Sequence, residues 1–97
     1  MTLETIPYDP AEDFTNPKDQ AELLAEAFSC GDQKFIAVAL GVVARARGMS
    51  HISDASGVTR PALYKALSEN GDPKLSTLMG VIKALGYTLS LQPMISH

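Results

Sequence analysis

Tryptophan is absent from these 97 residues, and only three Tyr and three Phe are present, so aliphatic side chains must supply most of the apolar burial. Packed helices suit such a composition. A single cysteine, Cys30, excludes an internal disulfide, and His51 and His97, far apart in the chain, make no cluster spaced for a metal. There is no glycine-rich phosphate loop, Cys30 has no histidine near it in sequence, and the carboxylates cluster in a segment that reads as exposed rather than as a cleft wall. We therefore expect no enzyme, no cofactor and no bound metal, with Cys30 a small apolar residue at a helix end. Long apolar runs are missing too. The longest, residues 35–44, is about half of what a bilayer span needs, and no basic start precedes an apolar stretch. Membrane insertion and secretion are not expected, and a cytoplasmic location is.

What is present is uneven in charge. The net charge of −3 runs against the basic character usual in nucleic-acid-binding domains. Up to Asp32, however, eight acids face Lys18 alone, a balance of −7, whereas from Gln33 onward seven bases face Asp54, Glu69 and Asp72, a balance of +4. An acidic front joined to a basic body implies either two surfaces with different partners or an acidic segment that serves solubility.

The length fits one small domain. Residues 1–16 carry Pro7, Pro10 and several carboxylates without helical period and read as an extended arm, with a short strand possible over residues 3–8. Asn16-Pro17 is a helix start, followed by Leu23, Leu24, Ala27 and Phe28 on one face and Gly31 as a stop. Asp32 caps a second helix over residues 33–47. That helix is apolar nearly all round, so it should be central, with Gly41 admitting a close neighbour. Arg45 and Arg47 at its end serve either the helix dipole or a phosphate.

Next, Ser50 is placed to cap a short helix over residues 51–56 with Ile52 and Ala55 inward; Gly57 and a buried Val58 make a turn; and Thr59 caps a further helix from Arg60 to about residue 69. In that helix Leu63, Ala66 and Leu67 face inward, leaving Arg60, Pro61, Tyr64 and Lys65 outside. The last helix, residues 74–85, has Leu75, Leu78, Met79, Ile82 and Leu85 at helical spacing. Residues 87–92 alternate apolar and polar like a half-buried strand. Such a strand must pair with the N-terminal arm, another subunit or another protein, unless it is a frayed tail.

Two short helices about a Gly-Val turn are what a helix-turn-helix requires: a residue able to take positive φ, a buried apolar side chain after it, and small residues at the crossing. Ser53 stands where Ala or Gly is commoner, and its hydroxyl needs a partner, such as a carbonyl one turn earlier. In this reading Arg60 is the main base reader, because a guanidinium binds guanine O6 and N7 together, with Thr59 and Lys65 next and Pro61 against a thymine methyl. Ser50, His51, Lys74 and Thr77, with the amides of the helix after Pro73, would hold phosphates. Tyr64 either packs beside its helix or touches phosphate. One such helix reads few base pairs, so a homodimer on a two-part site is expected, with residues 87–92 as a means of pairing.

The segments "ARARGMS", "ALYKALSENGDPKLSTL" and "KALGYTLSL" make residues 8–91 resemble the addiction module antidote proteins, the HigA-like antitoxins of bacterial type II toxin–antitoxin pairs. The pattern departs at Ser53, where Ala is usual, and at Pro61-Ala62, where a more polar pair follows Arg60. The resemblance implies an all-α, five-helix lambda-repressor-like helix-turn-helix domain of the Cro/CI type. Here that domain would occupy residues 17–97, with a short C-terminal β-strand and an acidic arm over residues 1–16. It also implies a protein that neutralises a basic RelE/ParE-type toxin and binds operator DNA to repress its own operon. A stand-alone phage-type repressor and an interaction module without DNA binding are the alternatives.

Overall fold

The structure is a computed structural model and describes residues 9–94. Its order follows from local capping. Asp9 accepts a hydrogen bond from the Ala11 amide (3.0 Å) and opens a 3₁₀ turn, Pro10–Asp13. Asn16 accepts from the Lys18 amide (2.8 Å) and starts α1, Pro17–Cys30, which ends at Gly31 in the left-handed region. Asp32 accepts from the Lys34 amide (2.9 Å) and begins α2, Gln33–Arg47. Then come α3, Met49–Ser56; α4, Arg60–Ala66; and α5, Leu75–Ala84. The described residues are helical throughout their regular structure.

The second helix is central as expected. Ala37 and every residue from Ala39 to Ala44 are buried, and α1, α3, α4 and the 3₁₀ turn all pack on α2. Gly41 is required there, because a Cβ would collide with the Leu67 carbonyl. The core is completed by Leu24 and Ala27 of α1, Ile52 of α3, Leu63 of α4, Leu67 after it, and Val81, Ile82 and Leu85 at α5. Leu40, Val43, Ile52, Leu63 and Val81 are fully buried, each contributing about 1.5–3 kcal/mol of transfer free energy.

Several expectations need correction. Residues 87–92 form no strand: Tyr87 donates its amide to the Ile82 carbonyl (3.0 Å), closing the end of α5, and the chain then runs on without regular structure. Alternating polarity supplies a face, not a partner, and among the described residues no second strand lies beside it. The strand considered for residues 3–8 lies outside the described residues. Residues 9–14, read as part of an extended arm, are instead fastened down, with Ala11 buried and the Phe14 carbonyl accepting from Gln20 Nε2 (2.7 Å).

Ser50 caps nothing. α3 begins at Met49, with Gly48 as its N-cap at φ 102, because Met49 is itself drawn into the core. Ala55 is exposed rather than inward; Cys30 closes α1 as expected and is exposed there. α4 stops at Ala66, where Leu67 leaves the helical region to enter the core. In α5, Leu75 (72% exposed) and Met79 (48%) lie outside the core that Leu78, Val81 and Ile82 reach.

Candidate nucleic-acid interface

The surface of interest is built around the turn between α3 and α4. Gly57 takes φ 76 and donates its amide to the Ser53 carbonyl (2.9 Å). Ser53 Oγ donates not one turn back but forward, to the Val58 carbonyl (2.6 Å), while the Val58 amide donates to Ser56 Oγ (3.3 Å). The serine that departs from the usual pattern therefore ties the turn together. Val58 is half-buried against the core, and Thr59 Oγ1 accepts from the Ala62 amide (3.3 Å), fixing the first turn of α4.

With Leu63 and Leu67 buried, the remaining periodicity turns Arg60, Pro61, Tyr64 and Lys65 outward, and all four are exposed, as is Thr59. Tyr64 is 46% exposed, so its ring is part of this outer face rather than of the packing beneath it. Ser50 and His51 are exposed on the first turn of α3, which packs against both α4 and α5. Lys74 is the N-cap of α5 and supplies no side-chain cap, so the first amides of that helix have no side-chain acceptor; Thr77, one turn in, is half-buried.

The charges are sorted by pairing. Glu69 binds Lys34 Nζ (2.9 Å), and Asp72 Oδ1 accepts from Gln33 Nε2 (3.0 Å), which draws both carboxylates toward the start of α2. The Lys34 ammonium lowers the carboxyl pKa of Glu69 below its usual value, and Glu69 in turn raises that of Lys34. Among the described residues Arg60, Lys65 and Lys74 form no ion pair, leaving three free cations and one carboxylate, Asp54, across α3, α4 and the start of α5.

The other two arginines stand in the last turn of α2, where the helix dipole favours them, and both side chains are also engaged with other parts of the chain. Arg45 grips Asp9 with Nε (3.1 Å to each oxygen) and Nη2 (2.9 Å), and holds that carboxyl's pKa below its ordinary range. Arg47 donates from Nε to Gln20 Oε1 (2.8 Å), from Nη1 to the Leu85 carbonyl (2.7 Å) and from Nη2 to Tyr87 Oη (3.2 Å). Both are fastenings between distant parts of the chain. Residues 27 to 40 positions away are involved for Arg47, so nothing local in the sequence announces them.

Two comparisons with known proteins match nearly the whole chain. A family model described as "probable addiction module antidote protein" matches residues 4–93. The chain is also 39% identical, over 92 residues and 95% of each chain, to an uncharacterised protein of Haemophilus influenzae. No solved structure matches it. Among the described residues no single helix is long and apolar enough to cross a membrane.

Proposed function

The chain belongs to the probable addiction module antidote protein family, and from that membership we propose that it is an antitoxin that also represses its own operon. It neutralises a small basic toxin of the RelE/ParE type and binds operator DNA through a helix-turn-helix made by α3 and α4, acting in the cytoplasm as a homodimer on a two-part site. The observation that supports the DNA half is the outer face of α4, where Arg60 and Lys65 are exposed and, among the described residues, form no ion pair, beside Thr59, Pro61 and Tyr64. Arg60 reads a guanine edge, while Ser50, His51, Lys74, Thr77 and the first amides of α5 hold phosphates and set the register.

Two assays test the two halves separately. Gel shift on the DNA upstream of the protein's own gene should give a complex that weakens as salt rises. Co-purification with the product of the neighbouring reading frame should give a stable pair. No salt-sensitive shift removes the operator role, and no pair removes the antitoxin role.

A further inference from the structure

A groove of about 680 Å³ opens between one flank of α1 and the segment after α5, reaching down to the core residues Leu24, Leu40 and Ile82, and no residue of α3 or α4 lines it. Ala21, Ala25 and Phe28 of α1 form one wall, the core residues Leu24, Leu40 and Ile82 the floor, and residues 87–91, outside any regular element, the other wall. Leu89 (41% exposed) and Leu91 (99%) are exposed there, on a stretch that pairs with no strand among the described residues. Grooves of this kind accept the apolar face of an amphipathic helix.

Charge selects the occupant. Asp19, Glu22 and Glu26 run along the exposed side of α1 at helical spacing, and among the described residues none of them is in an ion pair. Glu22 stands three residues before Ala25, so it is a surface neighbour of the groove wall. The opposite wall carries no charge: residues 86–94 contain neither an acid nor a base. Lys18, three residues before Ala21, stands against these three carboxylates, so one rim is net acidic and the other neutral. A second copy of this chain would bring the same carboxylates against their own images, whereas a helix with basic residues beside its apolar stripe would satisfy rim and floor together.

We propose that this groove docks a cationic amphipathic helix of a partner protein, and, resting on the antitoxin reading, that the partner is the toxin. Toxin and DNA then occupy different faces of one chain, α1 with the C-terminal segment for the first and α4 with the start of α5 for the second.

The test is calorimetric titration of the full-length protein with the purified product of the neighbouring reading frame, across a range of NaCl concentrations. Wild type should bind with an affinity that falls as salt rises. Ala25→Trp, which fills the groove from an exposed position, should weaken binding by about tenfold or more. The double variant Glu22→Lys with Glu26→Lys should do the same and flatten the salt dependence. Both variants should keep the wild-type helical circular dichroism and gel shift. Undiminished toxin binding by both variants overturns the groove assignment while leaving the antitoxin reading intact. The same holds if Ala25→Trp changes the oligomeric state in light scattering and spares toxin binding, which would make a second copy the occupant. Failure of the wild type to bind overturns the antitoxin reading and the groove with it.

Discussion

Replacing Arg47 by Met, which keeps the aliphatic stem and removes the guanidinium, should destabilise the protein far more than the same change at Arg45. Arg47 serves three acceptors at 2.7 to 3.2 Å, two of them in buried surroundings: Gln20 is 3% exposed and Leu85 3%. Without it, Gln20 Oε1 and the Leu85 carbonyl lose their charged donor where water reaches poorly. An orphaned buried acceptor costs about 1–3 kcal/mol, so the loss should total roughly 3 kcal/mol. Arg45 instead faces a carboxylate whose side chain is 42% exposed, an interaction that solvent screens to about 0–1 kcal/mol despite its bidentate geometry. For a domain of this size, about 3 kcal/mol lowers Tm by roughly 12–24 °C, against a few degrees for Arg45→Met. Thermal melts followed by circular dichroism measure both. Equal shifts in the two variants, or an Arg47→Met shift of only a few degrees, would refute the reasoning from burial. The Arg47→Met variant should also loosen Tyr87 and so weaken toxin binding before it affects DNA binding.

Two glycines in helices should respond in opposite directions. Gly41→Ala drives a Cβ into the Leu67 carbonyl and should cost about 1–3 kcal/mol in urea unfolding, while Gly80→Ala meets only Ser56 at ordinary contact distance and should be neutral or gain up to about 1 kcal/mol from helix propensity. The Asp9–Arg45 pair makes stability depend on acid. The folded-state pKa of Asp9 is lowered from 3.8, so its contribution is present above that value and is lost as pH falls through the lowered one. The Tm difference between wild type and Asp9→Asn should therefore be constant near neutrality and vanish in strong acid; a difference that persists there would show that the carboxylate charge is not its source.

Three helix starts were legible from side chains that cap nearby amides: Asn16, Asp32 and Thr59 each act within three residues, whereas the same chemistry at Asp9 was hidden by the prolines and carboxylates around it. The central place of α2 was equally plain, since a helix apolar on nearly every side has nowhere else to go. Start and stop were harder where one residue serves two helices, as Gly48 ends α2 and begins α3, displacing Ser50 from a cap to a helical position. The outward turn of Leu75 and Met79 depended on which side α3 covers, a tertiary fact that spacing along α5 does not contain. At residues 87–92 the alternation was real but unpaired, and the roles of Arg45 and Arg47 rested on partners tens of residues away. The exposure of Thr59, Arg60, Pro61, Tyr64 and Lys65 was legible from pattern alone, because burial of Leu63 and Leu67 leaves those positions no other side.

The most direct test of the DNA-reading face is a comparison of Arg60→Ala and Lys74→Ala, titrated against the upstream operator and against a scrambled duplex at several salt concentrations. Arg60→Ala should lose about 1–3 kcal/mol on the operator, roughly five- to 150-fold, and little on the scrambled duplex. Lys74→Ala should weaken both duplexes alike and reduce the salt slope by about one. An Arg60→Ala variant that discriminates operator from scrambled DNA as well as the wild type does would contradict the assignment of α4 as the reading helix.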